Sequence, residues 1–98
     1  MAKASKVGHL AELDTATNVI AENLGKPWRR LGRRLGLTDV KLDSVSARHT
    51  DLEETAREML KEWRSRGGAA RASDLVEALR RCDLNLTADK VVDKLSTP

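Results

Sequence analysis

The side chains that could act as nucleophiles or metal ligands are few in this sequence of 98 residues. It contains one cysteine, Cys82, and two histidines, His9 and His49. Neither histidine stands in a recognisable catalytic arrangement with Cys82, and the three residues do not form a metal-ligand cluster. No glycine-rich phosphate loop and no His-Glu-x-x-His pattern occurs. The sequence therefore predicts no enzyme, no cofactor, no metal site and no small-molecule substrate.

The residues best suited to binding chemistry are instead the charged ones, which cluster along the chain. Residues 26–38 contain five bases and no acid, whereas residues 39–62 contain seven acids and four bases. The formal charge of the whole chain is only +3. Because opposite charges are grouped in neighbouring segments, an ionic contact with another macromolecule is favoured over catalysis.

The elements that carry these charges follow from the apolar residues, which recur at spacings of three and four and so indicate amphipathic helices. No strand pattern and no internal repeat interrupts the series. The predicted fold class is all-α, a bundle of six short helices, with residues 1–8 as a flexible tail and residues 9–96 as one domain. The expected helix ends and starts are at Gly25, Pro27, Gly36, Thr38, Asp51, Gly67-Gly68, Ser73 or a neighbour, and Thr87.

The predicted core is aliphatic, since the chain has no Phe or Tyr. Trp28, Trp63 and Cys82 are in phase with leucines on the second, fourth and fifth helices, and we expect them to pack inside. The other inward positions, in helix order, are Leu10, Leu13, Thr17, Ile20 and Leu24; Leu31 and Leu35; Val40, Leu42 and Val45; Leu52, Ala56, Met59 and Leu60; Leu75, Val76 and Leu79; and Ala88, Val91, Val92 and Leu95.

The second helix carries arginines on both sides of its apolar stripe, with Arg29 and Arg33 on one flank and Arg30 and Arg34 on the other. A solvated face, a nucleic-acid contact and a protein contact all fit this pattern. As the alternative function, a basic helical nucleic-acid-binding domain would use the arginines on phosphates. However, the helix lacks the Asn, Gln or Ser that read base edges, and acids that phosphates repel follow it directly.

Direct membrane insertion is not expected either. No apolar run approaches the roughly 20 residues of a membrane span. The apolar side of the second helix is narrow, and the core requires it.

A protein contact is the remaining interpretation. The basic second helix and the acidic row Glu54, Glu58 and Glu62 of the fourth helix both point outward from one core. We expect these two surfaces to pair between molecules, in a head-to-tail assembly that salt weakens.

The stretch from Leu13 to about Leu95 resembles the death domain family. The matching segments, in the family's order and at nearly its spacing, are NVIAENLGKPWRRLGRRLGLTDVKLDSV, ETAREMLKEW and LVEALRRCDLNLTADKVV. The G-x-x-W-R-x-L pattern with a later Trp63 is typical of death domains in general, and ALRRCDLNLTAD narrows the resemblance to an adaptor. The resemblance implies an antiparallel bundle with Greek-key order. Gly32 stands where the family usually has alanine, at a cost of about 1 kcal/mol of helix stability.

The resemblance also implies a function. A non-enzymatic adaptor of this kind binds, by homotypic association, the death domain of a Fas-like receptor or of another death-domain adaptor. It is cytoplasmic, is recruited to the inner face of the plasma membrane, self-associates and builds a caspase-activating apoptotic complex. A separate death effector domain engages caspases in such adaptors, so this chain is expected to be the receptor-binding half. The implied partner-binding residues are Arg29, Arg33, Leu37, Asp39 and Asp43 on one surface, and Arg57 and Asp89 on a second.

Overall fold

A computed structural model of the chain describes residues 2–67 and 70–96, with side chains from residue 11 onward within those ranges. The side chains of His9 and Leu10, and Gly68 as a whole, lie outside the described residues. The described residues form six helices and no strand, which confirms the all-α prediction. The helices are α1 (Ala2–Asn23), α2 (Trp28–Arg34), α3 (Asp39–Arg48), α4 (Leu52–Gly67), α5 (Ala72–Arg81) and α6 (Asn85–Ser96).

The core lies where the helices meet in two groups. Helix α1 packs against α4, α5 and α6, while α2 packs against α3, α4 and α5. Every helix contributes at least one large side chain that is fully buried, and burial of each is worth roughly 1.5–3 kcal/mol. These side chains, all of them predicted, are Ile20, Leu31, Leu42, Val45, Met59, Leu60, Leu75, Leu79 and Val91.

The ends of the helices are mostly where the sequence places them. Gly25 has φ 67° and turns the chain after α1, and Gly36 has φ 95° and does the same after α2. The Thr38 hydroxyl accepts a hydrogen bond from the Lys41 N–H at 3.2 Å, and the Asp51 carboxylate accepts one from the Glu53 N–H at 2.7 Å. Both residues therefore cap the helices that they were predicted to cap.

The segment predicted as a flexible tail is described by its backbone from Ala2 to Gly8. Helix α1 begins at Ala2, so the backbone of residues 2–8 is helical. Helical backbone does not define a domain boundary, and the division between residues 1–8 and 9–96 stays a prediction.

Several predicted inward positions are exposed. Val40 is 80% exposed because it precedes the buried Leu42 by two residues, about 200° around the helix. Leu52 opens α4 and is 41% exposed, and Val92, one residue past the buried Val91, is also 41% exposed. Trp63 packs against the core but is only partly buried. Periodicity thus identifies the buried stripe and overestimates its width.

The prediction that Thr87 caps α6 is wrong. Asp83 adopts a left-handed conformation with φ 60°, which ends α5 within a single turn. The Leu84 carbonyl already accepts the Ala88 N–H at 3.0 Å, and α6 begins at Asn85. Thr87 consequently lies inside the first turn of α6, where it is buried.

Gly32 has a packing role that the sequence does not reveal. It is buried on α2, and a Cβ atom at this position would lie 2.6 Å from Leu42 Cδ2 and 3.3 Å from Met59 Cγ. The missing methyl group therefore lets α3 and α4 approach α2 closely. This glycine lowers the stability of α2 as an isolated helix, but it allows tight packing against Leu42 and Met59, which are both fully buried.

We expect Gly32→Ala to lower the free energy of unfolding, measured by urea denaturation. Overpacking costs about 1–3 kcal/mol, which exceeds the gain of about 1 kcal/mol in helix propensity. In a Leu42→Val background the clashing Cδ atoms are absent, so the same substitution should then be neutral or stabilising. An increase in stability on Gly32→Ala in the native background would contradict this account.

Candidate protein-interaction surface

The exposed edge formed by α2 and α3 is the first candidate surface, and buried residues of α2 fix its position. Trp28 and Leu31 are 6% and 0% exposed, so they hold one side of this short helix in the core. Arg29 and Arg33 lie one turn apart beside that stripe. Leu37 follows the turn after α2 and is also buried, and its N–H donates to the Gly32 carbonyl at 3.0 Å. Leu37 thus supports the edge from within the core.

Four of the implied partner-binding residues meet on this edge as two ion pairs between helices. Arg29 Nη1 lies 2.7 Å from Asp43 Oδ1, and Arg33 Nε lies 2.8 Å from Asp39 Oδ1. Both carboxylates are about two-thirds exposed or more, at 71% and 66%. We call these four residues the α2–α3 ionic edge. It presents positive and negative groups side by side to solvent.

Arg29 is the more firmly held of the two arginines. Its guanidinium carbon lies 5.1 Å from the centre of the Trp28 ring, a distance that allows a cation–π contact. Its side chain is 34% exposed, against 59% for Arg33. Arg33 can therefore leave its internal partner with less disruption of the domain.

The acidic face of α4 is only partly open to another molecule, because Glu58 and Glu62 are paired within the chain, whereas Glu54 is exposed and forms no ion pair among the described residues. Glu62 lies 3.6 Å from Lys41 Nζ, and Glu58 lies 3.6 Å from Arg48 Nη2 and 3.7 Å from His49 Nε2. These cations belong to α3 and to the residue that follows it. Helix α3 therefore faces the bases of α2 with its acids and the acids of α4 with its bases.

The two residues implied for a second surface lie on different pairs of helices. Arg57 donates to Glu53 Oε2 at 2.9 Å and to Asn18 Oδ1 at 3.1 Å, so it joins α4 to α1. Asp89 on α6 accepts from Arg80 Nη2 of α5 at 3.0 Å. Helices α4 and α6 do not pack against each other in the described part of the chain. Arg57 and Asp89 thus do not form one site within a single molecule.

Arg57 borders a recess between α1 and α4 that the sequence does not reveal. The recess has a volume of about 590 Å³ and is lined by Asp14, Thr17, Asn18, Arg57, Lys61, Arg64 and Ser65. Asp14 Oδ1 lies 2.7 Å from Arg64 Nη1, a pair that crosses 50 residues of sequence. Asp14 and Asn18 lie one turn apart on α1. They reach Arg64 and Arg57 of α4 only because the two helices pack against each other.

Thr17 is the one described side chain with a buried polar atom that has no hydrogen-bond partner. The side chain is predicted as an inward position, and the residue is 8% exposed. A hydroxyl left unpaired in such a place costs free energy.

Neither a metal-ion cluster nor a membrane-spanning helix occurs in the part of the chain that the structure describes. In residues 2–67 and 70–96, no three His, Cys, Asp or Glu residues are grouped so that they could hold a metal ion. None of the helices over these same ranges is long and apolar enough to cross a membrane.

The fold and these surfaces define a class of protein: a small helical domain whose chemistry is carried by ionic groups on its outer ridges and is suited to contacts with other proteins. The chain belongs to the death domain family, whose model matches residues 16–95. The resemblance drawn from the sequence is thereby confirmed, together with the six-helix death-domain fold.

The chain is also similar to parts of several known proteins. The chain is similar to the FAS-associated death domain protein of Homo sapiens, with 45% identity over 82 residues that cover 82% of this chain and 39% of that protein. The Bos taurus protein of the same name is 43% identical over 83 residues, with coverage of 82% and 39%. Receptor-interacting serine/threonine-protein kinase 1 of Homo sapiens is 34% identical over 73 residues, which cover 70% of this chain and 11% of that kinase.

The matched region is a part of each relative. The chain spans about two fifths of the length of the FAS-associated death domain proteins that it matches. The similarity therefore concerns the death domain.

We expect Thr17→Val to raise the free energy of unfolding by about 1 kcal/mol, because it removes a buried unpaired hydroxyl and keeps the shape of the side chain. Thr55→Val is the matched control, since Thr55 is 3% exposed and its hydroxyl donates to the Asp51 carbonyl at 2.8 Å. That substitution should be destabilising. Urea denaturation followed by circular dichroism measures both effects, and equal changes in the two variants would refute the distinction.

Proposed function

We propose that the chain is a non-enzymatic adaptor domain that binds the death domain of a Fas-like receptor, or of another death-domain adaptor, by homotypic association. The proposal rests on the membership in the death domain family and on the similarity to FAS-associated death domain proteins. The observation that carries it is the α2–α3 ionic edge, which exposes two cations and two anions in close pairs.

Such an edge is suited to exchange of partners. An exposed ion pair contributes only about 0.2–1 kcal/mol to stability, so opening it costs the domain little. When a partner presents complementary charges to the same groups, the contact becomes selective and its formation is faster. Arg33 and Asp39 can then each take an opposite charge from the partner without a change of fold.

The recess between α1 and α4 supplies a complementary surface on the same domain. Arg57, Lys61 and Arg64 are cations at its rim, and Lys61 has no ion-pair partner among the described residues. The carboxylates of an α2–α3 ionic edge on another molecule are opposite in sign to these groups and can pair with them. A contact between two different surfaces is heterologous and can extend beyond two subunits, as signal amplification by a clustered receptor requires.

This domain would act in the cytoplasm, at the inner face of the plasma membrane to which an activated receptor recruits it. Receptor clustering raises the local concentration of death domains, so weak contacts of this kind become a stable platform through multivalency. The platform would belong to a caspase-activating apoptotic complex. Arg29, Arg33, Asp39 and Asp43 are the proposed contact residues, with Leu37 as their support. Arg57 contributes to the complementary recess between α1 and α4, and Asp89 would belong to a separate, secondary contact.

Arg33→Glu should abolish binding to the purified death domain of a Fas-like receptor, measured by co-elution and surface plasmon resonance, while far-UV circular dichroism stays unchanged. The substitution places an acid beside Asp39 and removes a cation from the contact. The control is Arg66→Glu, which reverses an exposed charge near the C-terminal end of α4. This variant should bind the receptor domain like the wild type.

The double variant Arg33→Glu/Asp39→Arg separates the two roles of the pair. It restores an internal ion pair of reversed polarity, so stability should recover but receptor binding should not. Retained binding by Arg33→Glu, or recovered binding by the double variant, would count against direct contact through this edge.

The complex should also dissociate as salt is raised. Between 0.1 M and 1 M ionic strength the screening length falls from about 10 Å to about 3 Å, which weakens contacts between exposed charges. We expect self-association and receptor binding, followed by analytical ultracentrifugation, to weaken in parallel over this range. Affinity that does not change with salt would indicate an apolar interface instead.

A further inference from the structure

A second basic surface lies on the other flank of α2, where this helix meets the end of α5. A recess of about 340 Å³ opens there, and we call it the arginine recess. It is lined by Arg30, Arg33, Arg34, Arg81, Cys82 and Asp83. Four of these six residues carry a guanidinium group, and only Asp83 is acidic.

Two of the four arginines form no ion pair within the described ranges 2–67 and 70–96. Arg33 is held by Asp39 at 2.8 Å, and Arg81 by Glu77 at 3.3 Å. Arg30 and Arg34 are exposed and form no ion pair with any residue that the structure describes. The recess therefore has positive charge that the domain itself does not neutralise, on the flank that the α2–α3 ionic edge does not use.

The lining fits an anion with several oxygen atoms. A guanidinium group is planar and donates two parallel hydrogen bonds to a phosphate or carboxylate, so neighbouring arginines favour a phosphate monoester with its higher charge. Cys82 is buried and its Sγ lies 3.8 Å from the Arg30 carbonyl oxygen, within hydrogen-bond reach. Asp83 is the one lining group that would repel an anion.

An adjoining recess indicates what the anion is attached to. It has a volume of about 280 Å³, and its lining shares Arg34 and Arg81 with the arginine recess. Leu35 and Trp63 are only partly buried and form the smaller, apolar part of a recess whose exposed lining is mainly polar. Asp74 and Glu77 line it as well, so an extended polyanion such as duplex DNA would meet repulsion there. A short peptide with one anionic and one apolar residue can place only its apolar residue beside Asp74 and Glu77, and so avoids this repulsion.

We propose that the arginine recess binds an acidic peptide segment of a partner protein, with a phosphorylated serine or threonine as the preferred anion and an adjacent apolar residue against Leu35 and Trp63. The site overlaps the proposed receptor contact only at Arg33, which borders both surfaces. Arg30, Arg34 and Arg81 lie outside the α2–α3 ionic edge.

The test uses a fluorescein-labelled peptide with the order glycine, alanine, phosphoserine, leucine, alanine, glycine, titrated with the full chain and followed by fluorescence anisotropy. The wild type should bind it more tightly than the same peptide with serine or glutamate in place of phosphoserine. Arg34→Gln/Arg81→Gln should weaken binding about tenfold or more, because two charge-assisted contacts are lost. Asp83→Asn should strengthen it, and Arg66→Gln, the matched control at the end of α4, should leave it unchanged.

Three results would overturn the proposal: no preference for the phosphorylated peptide, equal binding by Arg34→Gln/Arg81→Gln and Arg66→Gln, or displacement of the peptide by a short duplex DNA at lower concentration than by the unlabelled peptide. Either of the first two results would mean that the arginine recess is only a solvated basic face. The third result would mean that the recess belongs to a nucleic-acid contact. Receptor death-domain binding by Arg34→Gln/Arg81→Gln is measured in parallel. Its retention separates failure of this proposal from failure of the adaptor function.

Discussion

The close approach of α2 to α3 and α4 at Gly32 is the constraint on which the charged surfaces depend. Leu42 and Met59 occupy the space that a side chain at this position would need. Helix α2 has only seven residues and gains little stability from its own hydrogen bonds, so burial of Trp28 and Leu31 must hold it in place. Once α2 is fixed at this distance, its arginines lie within reach of the carboxylates on α3.

Charge in this domain is organised by α3. The acids of this helix meet α2 and its bases meet α4, so neighbouring segments of opposite sign are partly neutralised inside one molecule. The domain is nevertheless not inert, because these pairs are exposed and weak. What distinguishes the surfaces is therefore the identity of the groups left without partners. Lys61 is such a group in the recess between α1 and α4, and Arg30 and Arg34 are such groups on the far flank of α2.

The amino-acid sequence predicts the helices better than it predicts the contacts between them. Local signals sufficed for the turn at Gly25, the cap at Thr38 and the buried stripe of α4, since each depends on residues within one or two turns. The prediction that Thr87 caps α6 failed because the left-handed conformation of Asp83 turns the chain just after α5, so that α6 begins earlier. Asp83 has a Cβ atom, and the sequence gives no sign that it adopts this conformation. The pairing of Asp14 with Arg64 and of Arg33 with Asp39 required the helix packing, which periodicity does not give. Family resemblance placed Arg29, Arg33, Asp39 and Asp43 together but could not show that they pair with one another in the free chain.

The placement of the two tryptophans has a spectroscopic consequence. The chain contains no tyrosine or phenylalanine, so its near-ultraviolet absorption and intrinsic fluorescence come from Trp28 and Trp63. Trp28 is buried against the guanidinium of Arg29, and Trp63 is partly exposed in the recess that Arg34 and Arg81 border. One ring therefore reports on the α2–α3 ionic edge and the other on the opposite flank of α2. Replacement of either ring by phenylalanine would leave a domain with a single emitter, so that events at the two surfaces become separately visible without any attached dye.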